Sequence, residues 1–307
     1  MPNLLDKIIE ETKSRVAERR RKRSVIEVKQ QILDAPKIRS LYEALRAKDI
    51  SVIGEHKRKS PSAGEMQPAN IDRAYEAYSS TEWISAISVV TNVDRFGGDI
   101  LDLRTARKQC GDKPILRKDF VLDEYQVYEA RANEADAILL MAALHVKDPA
   151  KLNGLFDLAR DLGMDVLVEF GLAGSDPNYR PELLAAIVPD RARIWGINSR
   201  NFRPSFFTAA LPLASRIAQR DVTIDLDRHK DLRHLVPAGK MVVAESGIAS
   251  ADDLVETREA GFNAALIGTA FLKGPRSIED VIEALGAAFE PASRAARARI
   301  PLRRATV

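Results

Sequence analysis

The chain has 307 residues, 45% of them hydrophobic and 30% charged, enough apolar material for one large core or two small ones. Acids and bases nearly cancel, leaving a formal charge of +3, so the basic field with which nucleic-acid binders meet phosphate backbones is not expected and small molecules are the expected partners. A single cysteine, Cys110, excludes an internal disulfide and a Cys-rich metal site and fits a reducing compartment; it reads as a half-buried small apolar residue.

The N-terminal stretch MPNLLDKIIEETKSRVAERRRKRS is charged and helix-periodic, with no apolar signal core. No later segment approaches the ~20 apolar residues of a membrane span, so a cytoplasmic protein without membrane contact is expected. Residues 1–50 read as a helical extension packed on the domain that the rest of the chain forms. Eight short β-rich apolar runs come next, at 51–57, 84–91, 114–118, 137–142, 165–170, 193–198, 240–246 and 264–268. Helix-periodic segments separate them, such as DEYQVYEARANEA (123–135) and SADDLVETREAGF (250–262), with acids near the start and, in the second, Gly261 near the end. Eight βα units predict the α/β class and a single closed (β/α)8 TIM barrel over 51–290, where an open doubly wound sheet would show about five or six strands. A basic tail, 291–307, completes the chain. The runs RRRKR and RAARAR read as solvated helix faces.

Side chains alternate along a strand, so one parity of each run must face the barrel interior. If Lys118 faces inward, so does Leu116. The same parity sends Ile53, Glu55 and Lys57 inward from the first run, Leu167 and Glu169 from the fifth, Ile194 and Asn198 from the sixth, and Val243 and Glu245 from the seventh. Each run passes from apolar to polar at its C-terminal end, so an ionic layer stands where Val or Leu would otherwise sit. One such charge could cap the core as an ion pair; five at one rim point to a site, because a buried charge without a partner is costly. His56, between Glu55 and Lys57, should face the helices as a satisfied buried histidine. After the seventh and eighth strands, Ser246-Gly247 and Gly268-Thr269 place glycine and hydroxyl residues where backbone N–H groups can hold a phosphate. The four histidines are scattered without ligand spacing, so no metal is expected.

The segments GEHKRKSPSAGEM, RFGGDILDLR, PILRKDFVLDEYQVYEARANEADAILLMAAL, LVEF, GINSRNF and VVAESGIASADDLVETREAGFNAALIGTAFLKGP cover most of the chain. Together they resemble indole-3-glycerol phosphate synthase, a (β/α)8 enzyme family of tryptophan biosynthesis. The resemblance implies a substrate, 1-(2-carboxyphenylamino)-1-deoxyribulose 5-phosphate, that loses carbon dioxide and water as its aryl ring closes onto a sugar carbon, with no cofactor expected because the cyclised intermediate can accept the electrons. It implies that Lys118 is the general acid at the ketose oxygen. Lys57 would hold the carboxylate or act as the acid in dehydration, Glu169 would be the base of the second stage, Glu55 would orient the lysines, and Asn198 would hold a sugar hydroxyl or a glutamate. Glu245 belongs to the same catalytic set. Ser60, Arg200 and Ser246 fall among the substrate-binding positions, and Pro61, Phe96, Phe120, Leu139 and Met141 among those of the aryl pocket. Association with other enzymes of the tryptophan pathway is compatible with this reading.

Burial would lower the pKa of Lys118 and the nearby glutamates would raise it, a balance that the sequence leaves open. Two rim stretches, 171–192 and 203–221, are longer than the family pattern; the second is expected to set substrate fit rather than to be needed for folding. Three alternatives stand beside the synthase: a paralogue acting on a modified anthranilate-derived substrate, another phosphate-sugar barrel enzyme such as an isomerase with a Cys/Asp acid-base pair, and a non-catalytic interaction protein using the rim. Cys110 lies away from any strand end, which speaks against the isomerase.

Overall fold

The computed structural model describes residues 4–171, 180–201, 223–224 and 228–289. The stretch 203–221 and the tail 291–307, to which expectations were attached, lie outside the described residues, as do 172–179 of the first rim stretch. Eight parallel strands close a barrel: β1 (Ser51–His56), β2 (Ile84–Val90), β3 (Ile115–Lys118), β4 (Ala137–Met141), β5 (Asp165–Phe170), β6 (Ile194–Asn198), β7 (Met241–Glu245) and β8 (Ala264–Ile267). Each strand pairs with its neighbours in sequence, and β8 returns to β1 in the register Ser51↔Ala264. The fold is therefore the (β/α)8 barrel that the eight runs predict. β1 and β5 are buried at every position, because a parallel sheet wrapped by helices is covered on both faces.

Local chemistry sets the helix ends. In α7 (Glu124–Ala132) and α11 (Ala251–Glu259) the capping residues Asp123 and Ser250 exchange hydrogen bonds with Gln126 and Asp253 three positions on. Both helices stop short of the periodic segments that predict them, and Gly261, at φ +82, turns the chain after α11. In α4 (Pro68–Ser80) and α8 (Pro149–Asp161) proline occupies the first turn, where no N–H is needed. α6 (Asp102–Gln109) ends at Cys110, which is fully buried rather than half-buried, since the packing of α4 closes over it and Tyr75 O lies 3.8 Å from its Sγ. Burial pushes its thiol up to about 12.

Three helices precede the barrel: α1 (Leu4–Lys22), α2 (Val25–Ile32) and α3 (Leu41–Arg46). Val16 and Val28 join Tyr125 and Ala132 in a small apolar cluster that seats α1 and α2 on α7. The segment leading into α3 is tied under the N-terminal ends of the strands by two buried carboxylates. Asp136, wholly buried, accepts from Arg39 N (2.8 Å), Arg39 Nε (3.0 Å) and Nη2 (2.8 Å), Arg107 Nη1 (2.7 Å) and Ile115 N (2.8 Å). Asp165 accepts from Ser40 Oγ (2.8 Å), Tyr42 N (3.0 Å), Arg160 Nη1 (2.7 Å) and Arg193 Nη2 (2.9 Å). Burial opposes ionisation of Asp165, but the Tyr42 amide, the Ser40 hydroxyl and the two guanidiniums outweigh it and hold its carboxyl below the usual range.

Removing one member of such a buried cluster strands the others. Asp136→Ala is expected to lower unfolding free energy by about 3–5 kcal/mol, read from denaturant midpoints, while Asp157→Ala, half-exposed beside Arg191, should change it by about 1 kcal/mol or less.

Candidate active site

At the C-terminal end of the barrel the strands deliver their polar residues to one mouth. Lys118, the last residue of β3, places Nζ 3.1 Å from Glu245 Oε2 on β7 and 3.3 Å from Glu169 Oε2 on β5. The Nζ of Lys57, just beyond β1, donates to Glu55 Oε1. Both glutamates facing Lys118 are 1% exposed.

Such a layer needs missing atoms elsewhere. A Cβ at Gly196 on β6 would collide with Glu245 Oε1, and one at Gly268 would lie 2.5 Å from Glu55 Oε1. Glycine at these two positions is the space into which the carboxylates fold. Just past β7 the backbone turns sharply through Ser246 (φ +74) and Gly247 (φ +88), where a non-glycine left-handed residue carries strain. Ser199 Oγ donates to Ser246 O (3.2 Å), and His229 Nε2 donates to Glu245 O (2.8 Å), so the turn is held from both sides.

Electrostatics assigns the protons. Burial alone would lower the pKa of Lys118; the attraction of Glu245, then Glu169 and Glu55, exceeds it, so the pKa ends above its ordinary value and the amine is an ammonium. Two carboxylates on one ammonium leave a negative charge in excess. Burial pushes Glu245 up to about 8, with repulsion from Glu169 adding to it against the pull of Lys118. The direction of that shift favours the neutral form of Glu245. Oε1 of Glu169 and Oε1 of Glu245 are both buried without a hydrogen-bond partner among the described residues.

These groups open onto a cavity of about 360 Å³, within the ~300–1,000 Å³ range of small-molecule sites. Glu55, Lys57, Lys118, Glu169 and Asn198 line it. Glu245 is absent from the wall and reaches the cavity through Lys118. Phe96, Phe120, Leu139 and Met141 form an apolar side, the two phenyl rings tilted at 46° with centroids 6.3 Å apart. Ser246, Gly247, Gly268 and Thr269 form another. Among the described residues no group of three or more His, Cys, Asp or Glu is placed to hold a metal ion.

The indole-3-glycerol phosphate synthase family model matches residues 5–285. The chain belongs to the indole-3-glycerol phosphate synthase family. The indole-3-glycerol phosphate synthase of Parafrankia sp. (strain EAN1pec) is 35% identical over 300 residues, covering 96% of this chain and 99% of the relative. That of Lachnospira eligens is 34% identical over 287 residues, covering 91% and 96%, and that of Bacteroides thetaiotaomicron 34% over 280 residues, covering 90% and 95%.

Within this synthase-family barrel, not every residue named from the sequence reaches the cavity. Ser60 and Pro61 lie on a short hairpin beyond β1 and are not part of the wall; the Ser60 hydroxyl accepts from Ala63 N (3.0 Å) and shapes the hairpin turn. The side chain of Arg200 lies outside the described residues. His56 faces the helices and stacks on Tyr75 at 4.4 Å, but its Nδ1 is buried without a partner among the described residues, so it is not the satisfied histidine expected. Burial, opposed in part by Asp102, pushes it down to about 4 and keeps it neutral. Conversely, Asn92 and Lys273 line the cavity and were not singled out. Lys273, whose Nζ donates to Glu65 O (2.9 Å), lies in the middle of the FLKGP stretch, and a cation beside a glycine turn is the signal that could have found it.

The raised pKa at this mouth makes stability depend on pH. A carboxyl whose folded pKa is raised stabilises the fold fully below its unfolded pKa and loses that contribution as pH rises through the folded value. With Glu245 near 8, the stability of the parent relative to Glu245→Gln should fall between roughly pH 4.5 and pH 8, measured by urea unfolding across that window. Gly196→Ala should displace the Glu245 carboxylate, so the same comparison in the Gly196→Ala background should show a smaller pH dependence.

Proposed function

We propose that this chain is the ring-closing synthase itself, converting 1-(2-carboxyphenylamino)-1-deoxyribulose 5-phosphate to indole-3-glycerol phosphate with loss of carbon dioxide and water in tryptophan biosynthesis. The observation that carries this reading is an ammonium, Lys118, held by two buried glutamates in a cavity with an apolar wall and a glycine-rich wall. The substrate has three matching parts: an anionic aryl ring, a ketose and a phosphate.

The aryl ring fits against Phe96, Phe120, Leu139 and Met141. Asp253 already takes the amides of Ala249 and Ser250 (both 2.9 Å), so the phosphate is received at Gly247 and at Gly268–Thr269, with the Lys273 ammonium near. This orientation sets the ketose beside Lys118. The side chain of Lys118 is 19% exposed and that of Lys57 only 2%, which favours Lys118 as the group that meets the ketose oxygen.

As the ring carbon attacks, Lys118 gives its proton to that oxygen. The C–C bond to the carboxylate breaks next, its electron pair restoring the ring system as carbon dioxide leaves. Elimination of the hydroxyl as water completes the sequence: Glu169 removes the ring-adjacent proton and Lys57, held by Glu55, protonates the departing oxygen. Asn198 orients the sugar. The alternative isomerase, which needs a thiol acid or base, loses support because Cys110 is buried away from the cavity.

Purified protein mixed with the carboxyphenylamino substrate should develop indole fluorescence. Lys118→Met should lower kcat by about 10²–10⁴-fold with an intact fold. A parent protein that binds the substrate and never forms indole would defeat the proposal.

A further inference from the structure

The residues on either side of Lys118, Arg117 and Asp119, are fixed more tightly than the lysine itself. β3 is only four residues long, and its pairing with β4 ends at Arg117↔Ile138. Glu169 and Glu245 are paired on both sides, to Met141 and Gly196 and to Asn198 and Leu266. Lys118 is matched on the β2 side alone, to Val90. Its carbonyl accepts from Thr91 N at 3.1 Å.

Thr91, 5% exposed, does more than this. Its hydroxyl accepts from Arg117 Nε (3.1 Å) and donates to Asp119 Oδ2 (2.8 Å). Arg117, 1% exposed, also donates to Asp119 Oδ2 (3.0 Å), Glu129 Oε2 (3.1 Å) and Gln126 O (2.7 Å). The other oxygen of Asp119 accepts from Phe120 N (2.9 Å), in the residue that supplies the aryl wall. One threonine thus holds three consecutive residues, the middle one by its backbone and its two neighbours by their side chains.

We infer that Thr91 is a positioning residue for Lys118: with Arg117 and Asp119 it forms a buried clasp that substitutes for the missing β4 pairing and aims the ammonium at the ketose. The inference rests on the proposed function for its kinetic consequence, though not for its geometry. A catalytic group displaced by about 1 Å can lose about 10² in rate. A clasp that only stabilised the barrel would leave the rate of the folded enzyme untouched.

Thr91→Val keeps the shape and deletes both hydroxyl bonds; Thr91→Ser restores the hydroxyl. In Thr91→Val the folded protein should lose tenfold or more in kcat, with KM changed less than threefold. Acylation of the Lys118 amine by a small reagent, followed by mass spectrometry, should speed up fivefold or more as the ammonium leaves its glutamates. Thr91→Ser should return both readouts towards the parent. If Thr91→Val fails to fold, Asp119→Asn carries the same two readouts. Parent-like kcat and labelling in a folded variant, or a Thr91→Ser protein as impaired as Thr91→Val, overturns the inference. Should the parent itself prove inert on the substrate, the functional reading falls and the labelling rates alone decide the clasp.

Discussion

Everything at the mouth of this barrel depends on one ammonium held between two buried carboxylates. A lysine inside a low-dielectric cavity would lose its proton if left alone, and a lone glutamate would gain one. Together, Lys118 and its partners retain a charge, but only if the strands bring them within about 3 Å and nothing crowds them. That requirement reaches into residues with no chemistry of their own. Gly196 and Gly268 are empty where β6 and the turn after β8 pass the carboxylates, and the strained turn at Ser246 is braced by Ser199 and His229. With two acids and one base in contact, burial and the second acid shift Glu245 towards its neutral form. The chemistry proposed here divides the proton transfers between two members of this cluster: the Lys118 ammonium gives one at the ketose and Glu169 takes one from the ring.

Much of this was legible in the sequence, and physics explains the boundary. Parity along a strand is a rigid rule, so inward residues such as Glu55, Lys118, Glu169 and Asn198 could be read from spacing and are found around one cavity. The eight runs marked the strands because parallel strands wrapped by helices are apolar on both faces, a pattern that residues such as Arg117 break only by bringing a full set of partners. Loops have no period, so Asn92 and Lys273 were overlooked, while Ser60 and Pro61, named by resemblance, stand on a hairpin outside the wall. The protonation of Lys118 and Glu245 depends on ångström distances between residues up to 127 positions apart, which no spacing encodes. Cys110 was misjudged in degree: what covers it is a neighbouring helix, visible only after folding.

The two ends of the barrel spend their charges differently. At the mouth, acid outnumbers base around Lys118 and a proton makes up the difference. At the opposite end, Asp136 and Asp165 are each met by two arginines and by backbone amides, so their charge is fully answered. Polarity at the lower face of such a barrel is structural and at the upper face chemical, and here the distinction shows in how completely each carboxylate is satisfied.

The lower clamp also sets an order of events on the ribosome. Arg39, Ser40 and Tyr42 leave the exit tunnel long before the carboxylates they serve, with 97 residues separating Arg39 from Asp136 and 125 separating Ser40 from Asp165. At a synthesis rate of about 5–20 residues per second, the segment waits about 6–25 s for Asp165 to be made. For most of that interval, until residues 124–132 supply α7, the helices α1 and α2 have nothing to rest on, and their apolar stripe stays open to water and to neighbouring nascent chains. A strongly charged first helix, with basic residues crowded into its last turn, keeps that waiting segment dissolved until the barrel behind it exists.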